Sequence, residues 1–414
     1  MQEKFTKFLT SNSIDENHVI NARLNTDPYR SLHLKWAAIE NAAAYAVVLM
    51  DKDASGAMGV PFLHWAALVL DPNITELDEN ASAELGENVL FQFENSTTKN
   101  VQSSIIPAEF LNDNARNYFG PTPPENDHLY EVVVIGLREK PDTDHLPYPQ
   151  TFALFEEIVL KSDPIKKYSL YFVGRQVKFQ NGYISLANPD IVDPHLKDGG
   201  HFYVSETASL IRIQNLQIKD LIKTESGNFL DRKYFTILKW NAENPLSVGF
   251  KSFKRIEFSF DKVADAQSYV VLLNNSQSLN IIGTPLVNWT GYSIFQPEGD
   301  RVVVDQQTHL FNTVNSYSAE ILNSGRPSLF AQFGKDGLIT EKEKKLFAAR
   351  NLFGGGYFVE LSDTYSTAAG FYTLFVYATD LAPQAYPELK TQQDLLHFIN
   401  NHVVATAELK FKIK

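Results

Sequence analysis

Two carboxylates and an imidazole fall within the stretch "DKDASGAMGVPFLHW" (51–65): Asp51, Asp53 and His64. A second group, Gly120, Pro121, His128 and Tyr130, follows in "GPTPPENDHLY" (120–130). Asp51 and Asp53 stand two apart at the end of an apolar run, so in continuing strand geometry their side chains share a face. His64 opens the next apolar run, and a hairpin-like return brings it beside them. A carboxylate that accepts a bond from one imidazole nitrogen fixes the tautomer and turns the other nitrogen outward. Beside a Gly-Pro loop that offers backbone N–H groups, this makes a small anion pocket. His64 as a general base oriented by Asp51 would instead begin an acid–base site for hydrolysis, although no nucleophile or metal-ligand set accompanies it. Plainer readings stand beside both. Acids at strand ends commonly belong to solvated turns, a single His before Trp is commonly structural, and "GPTPP" is a rigid loop signal.

The elements that must position these residues occur twice. "LKWAAIENAAAYAVVLMDKDA" (34–54) aligns with "FSFDKVADAQSYVVLLNNSQS" (258–278), so that Trp36 meets Phe260, Ile39 meets Val263 and Tyr45 meets Tyr269, always 224 positions on. Carried forward, the same shift sets His64-Trp65 on Asn288-Trp289. "NYFGPTPP" (117–124) resembles "NLFGGGYF" (351–358), and "YEVVVIGLREKP" (130–141) resembles "YTLFVYATDLAP" (372–383). Apolar runs bounded by Gly, Pro, Asn and Asp predict strands over 45–50, 62–70 and 129–137, and again over 268–273, 286–294 and 371–378. Each half then carries a helix-like segment and a closing strand: 150–160 with 168–173, and 389–402 with 404–412. The reading is a mainly β chain of two tandem domains, 1–175 and 176–414, the second with an enlarged N-terminal part.

The second copy keeps the apolar positions and loses the ionisable ones. Asn275 stands for Asp51, Gln277 for Asp53 and Asn288 for His64, while "GGGYF" replaces "GPTPP" and Gly370 stands for His128. A site without its charges is expected to have stopped binding the same ligand.

Composition narrows the classes further. The chain has 414 residues, more than one hydrophobic core usually serves. Aromatic residues make up 12%, many in strand-like runs. The formal net charge of −12 disfavours nucleic acid or an anionic membrane surface as principal partner. There is no cysteine, hence no disulfide framework, thiolate metal site or Cys nucleophile. No signal-peptide pattern opens the chain and no apolar run approaches the length of a transmembrane helix, so a cytoplasmic protein is expected. "FGGG" (353–356) lacks the Lys-Ser/Thr of a phosphate loop. The His pairs of "HLKDGGH" (195–201) and "HFINNH" (397–402) lack the helical i,i+4 spacing of a zinc site. "EKEKK" (341–345) reads as a solvated helix face.

The stretch "LKWAAIENAAAYAVVLMDKDA…FLHWAALVL…NYFGPTPPENDHLYEVVVIGL" resembles the phosphatidylethanolamine-binding protein family, which includes the Raf kinase inhibitor proteins and bacterial relatives. The family pattern is Asp-Pro-Asp-Ala at a strand end, a His-Trp pair, Gly-Pro-x-Pro-Pro, then a His before an aromatic strand. Asp51, Asp53 and Ala54, then His64-Trp65, then Gly120 to Pro124, then His128 with Tyr130 match it in order, and Lys52 departs from it. The closing "VVATAELKFKIK" is also similar to the family's last strand. The resemblance implies a sandwich of two antiparallel sheets in each domain. It also implies a pocket for phosphate, acetate-like anions or a phosphorylethanolamine headgroup, lined by Asp51, His64, the Gly120 backbone, His128 and Tyr130, with Asp53 and Pro121 adjoining. The expected function is a non-enzymatic binding or regulatory protein with no cofactor and no metal. It would capture a phosphate-bearing or carboxylate ligand, dock a protein partner as the family does, and be a monomer whose two halves imitate a dimer. Two alternatives remain: the His64/Asp51 hydrolase, and a structural scaffold with a vestigial pocket.

Overall fold

Largely apolar runs build the central strands of the first sheet, and its inner face leads directly to the site. In the computed structural model, the described residues are 8–55, 60–100, 111–113, 115–124, 126–180, 183–187, 211–224, 227–231, 256–275, 286–295, 299–313, 371–389, 391–399 and 402–413. They divide into two compact units that separate near residue 210. The strands of the first are β1 (Leu9–Thr10), β2 (Leu34–Trp36), β3 (Ala44–Asp51), β4 (Phe62–Val69), β5 (Glu76–Leu77), β6 (Leu90–Gln92), β7 (His128–Leu137) and β8 (Pro164–Gly174). They form a five-stranded antiparallel sheet in the order β6-β4-β3-β7-β8 and a three-stranded one in the order β1-β2-β5. A hairpin of β9 (Val177–Gln180) and β10 (Tyr183–Leu186) follows.

Tyr45, Val47 and Leu49 of β3, Trp65, Ala67 and Val69 of β4, and Val132 and Val134 of β7 point into one core with Leu9, Leu34, Trp36 and Leu77 of the smaller sheet. Every residue of β4 is buried, as expected of a central strand covered on both faces. Helix Phe152–Lys161, capped by the Thr151 hydroxyl, buries Phe152, Phe155, Ile158 and Val159.

The second unit is built from β11 (Ile211–Arg212), β12 (Gln217–Ile218), β13 (Ile222–Thr224), β14 (Gly227–Leu230), β15 (Phe258–Asp261), β16 (Ser268–Asn275), β17 (Leu286–Phe295), β18 (Arg301–Val304), β19 (Phe311–Asn312), β20 (Tyr372–Thr379) and β21 (Val403–Ile413). Its main sheet runs β13-β14-β21-β20-β16-β17-β19, with β11 and β14 parallel to β21 and the other pairs antiparallel. Its small sheet runs β12-β15-β18.

Details recur in the two units. The Ile39 N–H donates to the Tyr45 hydroxyl in one, and the Val263 N–H to the Tyr269 hydroxyl in the other. Trp65 Nε1 donates to Gln92 Oε1 and Trp289 Nε1 to Asn312 Oδ1, both at 2.8 Å. Tyr130 stacks on Phe172 at 5.5 Å, Tyr372 on Phe411 at 5.8 Å. Among the described residues no helix is long and apolar enough to cross a membrane. The segments "HLKDGGH", "EKEKK" and "GGGYF", and residues Gln277 and Gly370, lie outside the described residues.

Candidate functional site

The core face of β3 passes from Tyr45, Val47 and Leu49 to Asp51, its last residue, which pairs with Phe62 of β4 and Tyr130 of β7. The site therefore continues the apolar core at one end of the sheet. His64 reaches this face through a β-bulge. Leu49 pairs with Trp65 and Met50 with Leu63, which leaves His64 as the extra residue on β4. Plain alternation would send His64 to the face opposite Trp65; a bulge re-aims it. His128 opens β7 on the face of Tyr130, Val132 and Val134. Asp51 and His64 are 3% exposed, His128 and Tyr130 1%.

His128 Nδ1 lies 2.8 Å from Asp51 Oδ2, and His64 Nε2 lies 3.9 Å from the same oxygen. Burial by itself would raise the Asp51 pKa. The charge and hydrogen bond of His128, with the smaller contribution of His64, outweigh it and hold the carboxyl well below the usual carboxylate range. Asp51 is thus an acceptor, and His128 donates from Nδ1. His64 uses its own Nδ1 to donate to the Phe119 carbonyl at 2.6 Å. The imidazole that Asp51 bonds directly is therefore that of His128, whereas the sequence pattern pointed to His64.

Other expectations shift as well. β3 ends at Asp51, so Asp53 lies in the following turn and does not share the strand face; its Oδ2 accepts the Leu129 N–H at 2.7 Å and pins the start of β7. The Ala54 N–H donates to Asp51 Oδ1 at 2.9 Å. The Gly120 N–H, expected to face a ligand, donates to the Pro28 carbonyl at 2.6 Å. Lys52 pairs with Glu131 at 2.8 Å, so the ammonium does not join the Asp51 cluster. Burial would raise the Glu131 pKa, but the Lys52 and Lys167 charges and hydrogen bonds from Lys52 and Tyr171 hold it below the usual range.

Several residues that shape the site carry no sequence pattern. Asn25, fully buried, donates from Nδ2 to the carbonyls of Pro121 (2.9 Å) and Arg175 (3.2 Å). Asp127 Oδ1 accepts the Gln176 N–H at 2.7 Å, and its Oδ2 lies 3.5 Å from Arg175 Nε. Gly174 had a readable signal, a glycine closing an apolar run. A Cβ there would lie 2.5 Å from Tyr130 Cε2 and 2.8 Å from Pro121 Cβ, so only glycine lets both pack against the strand.

Elsewhere in the first unit, His33, Glu76 and Asp78 bring three ligand-type atoms together. His33 Nδ1 accepts the Asn12 N–H, so Nε2 carries the proton it shares with Glu76 at 3.0 Å. A neutral ring in that state has no lone pair for a metal.

The second unit repeats the bulge: Leu273 pairs with Trp289 and Asn274 with Val287, so Asn288 is the extra residue. Asn275 pairs with Leu286 and Tyr372, the positions that correspond to Phe62 and Tyr130. Two strand positions beyond Phe411, Ile413 packs against the core where Gly174 stands two beyond Phe172.

Comparison with known proteins finds partial matches. The chain is 31% identical over 112 residues to an uncharacterized protein, YxkA, of Bacillus subtilis (strain 168); the match takes in 27% of this chain and spans 63% of that relative's length. Among solved structures, a putative phosphatidylethanolamine-binding protein homolog, CT736, from Chlamydia trachomatis D/UW-3/CX matches at 18% identity and a TM-score of 0.31, over 41% of this chain and 97% of that one. YbcL of E. coli, described as a new member of the mammalian PEBP family, matches at 19% identity and a TM-score of 0.31, over 42% and 99%. Residues 10–165, the stretch that carries Asp51, His64, His128 and Tyr130, match the family of the phosphatidylethanolamine-binding proteins.

Proposed function

We propose that the first unit is a non-enzymatic binding domain that captures a small phosphate-bearing or carboxylate ligand beside Asp51, His64, His128 and Tyr130. The observation that carries this reading is a buried carboxylate between two imidazoles at one end of a sheet. Taking such groups out of water costs several kcal/mol per ion before pairing is counted. Their assembly in one place, one of them re-aimed by a bulge, is the pattern of a functional site. The family match over residues 10–165 supports the same conclusion. The hydrolase reading asked for a His64 oriented by Asp51; the direct bond of Asp51 goes instead to His128, and His64 is oriented by the Phe119 carbonyl.

We also propose that the second unit is a degenerate copy arising by tandem duplication. The shared registers, the shared bulge and the paired tyrosine and tryptophan bonds support this, and Asn275 and Ile413 occupy the positions of Asp51 and Gly174. The copy then serves structure or interaction rather than the same ligand. NMR titration with phosphate and phosphoethanolamine tests the proposal. Shifts confined to the region of His64 and His128 are expected; unchanged imidazole signals at millimolar ligand would refute it.

A further inference from the structure

The small sheet of the second unit, β12-β15-β18, ends on β18, whose far side no described strand covers. Register fixes which groups face outward. The Lys262 N–H donates to the Asp300 carbonyl, whereas the Asp261 N–H turns the other way, to the Gln214 carbonyl. Phe258 and Phe260 therefore bond Val304 and Val302, their ladder partners. Arg301, Val303 and Asp305 direct their backbone groups out of the sheet. Asp305 closes a turn, its N–H donating to the Thr308 hydroxyl at 2.9 Å. Among the described residues, nothing engages the Val303 N–H or the Arg301 N–H and carbonyl.

The side chains sharpen the same edge. Val302 and Val304 are fully buried, while Val303 is 55% exposed and stands between Arg301 and Asp305 on the outer face. Edge strands ordinarily carry a charge, a proline or a bulge where a second chain would add. The first unit does so. Its equivalent edge is β5, because Leu34 pairs with Leu77 as Phe258 does with Val304, and Glu76 stands in the place of Val303. β5 is two residues long, and its Glu76 carboxylate is held by Lys35 and His33. β18 is four residues long and puts a branched apolar side chain where β5 puts a charge.

We propose that β18 is a self-association edge: two copies of the chain pair their β18 strands antiparallel, with Val303 opposite Val303 on a two-fold axis. The stretch "RVVVD" (301–305) is self-complementary in that register, since the axis sets Arg301 of each copy across from Asp305 of the other. A slip of two residues, the smallest that keeps outward groups facing each other, sets Arg301 or Asp305 across from Val303 instead. In the matched register the Val303 N–H and carbonyl exchange bonds across the axis, and the Arg301 N–H donates to the Asp305 carbonyl. Both carbonyls already take a long bond from Thr308, at 3.3 and 3.4 Å, and a carbonyl accepts two. Arg301 also pairs with Asp261 at 3.1 Å, so these exposed charges choose the register more than they add affinity. A contact one strand wide falls below the roughly 1,000 Å² of a lasting interface, so the association is weak and reversible. It replaces the monomer expected from the sequence with a dimer built through the unit that lost the ionisable residues.

Sedimentation equilibrium of the full chain, from micromolar to sub-millimolar concentration, tests this. A reversible monomer–dimer equilibrium is expected, with hydrogen exchange at the Arg301 and Val303 amides slowing as concentration rises. Val303→Lys sets like charges against each other on the axis and is expected to weaken dimerisation about tenfold. The side chain is exposed, so this variant is expected to keep the wild-type circular dichroism. Arg301→Glu sets a carboxylate across from Asp305 and is expected to weaken dimerisation about threefold. A wild-type chain that stays monomeric throughout overturns the proposal, and so does a dimer that Val303→Lys leaves unchanged. A dimer weakened by Val303→Lys but indifferent to Arg301→Glu overturns the register.

Discussion

Two strand ends, at Asp51 in β3 and Asn275 in β16, have the same surroundings and different chemistry. Each is the last residue of its strand, each pairs with a tyrosine that stacks on a phenylalanine, and each neighbouring strand bulges just before a buried tryptophan. At the first end a carboxylate meets two imidazoles; at the second stand an amide and, nearby, Ile413. The bulge, the tyrosine bond and the tryptophan bond therefore do not depend on the ionisable residues. What aims His64 in the first unit aims nothing charged in the second, which separates the demands of folding from those of the site.

The largest test of this equivalence is truncation of the two tryptophans. Trp65→Ala and Trp289→Ala each remove a fully buried ring, and each is expected to destabilise its own unit by about 3–5 kcal/mol. Scanning calorimetry reads both; a loss in only one would break the comparison. Gly174→Ala is next. The added methyl drives into Tyr130 and Pro121, for about 1–3 kcal/mol of overpacking, and displaces Tyr130 from the site. Chemical denaturation and phosphate titration should both register it, whereas Ile413→Ala should leave phosphate binding untouched.

The acid limb of stability gives a subtler contrast. The folded pKa of Asp51 lies below its unfolded value of about 3.9, so its contribution is fully present above that pH and is lost as pH falls from there towards the folded value. Asp51→Asn is expected to flatten this part of the acid-unfolding curve, and Asn275→Ala to leave it alone. The smallest effects belong to the amides that receive the indole N–H groups. Gln92→Ala and Asn312→Ala should cost about 1 kcal/mol each, by urea midpoints.

Strand positions were legible in the sequence because apolar runs and their bounding turn residues are local signals. The 224-residue shift anticipated the register, since Leu49 with Trp65 and Leu273 with Trp289 are equivalent pairs. The bulge was hidden: alternation places His64 and Trp65 on opposite faces, and only cross-strand register reveals the extra residue. Asp53 was misplaced because strand geometry was carried past Asp51 into a turn. Asn25, Pro28 and Phe119 were invisible for another reason. They act on backbone groups or through their own carbonyls, and a carbonyl is the same in every residue. Lys52 showed in the sequence only as a departure from the family pattern, because its partner Glu131 lies on another strand.

The central claim is that one of the two sheet ends binds an oxyanion and the other does not. The stoichiometry of phosphate binding to the full chain, followed through the His64 and His128 imidazole signals, tests it most directly. The account predicts one phosphate per chain, shifting both imidazoles, lost in a folded Asp51→Asn variant and kept in Asn275→Ala. Two phosphates per chain, or binding that leaves both imidazoles unmoved, would contradict it.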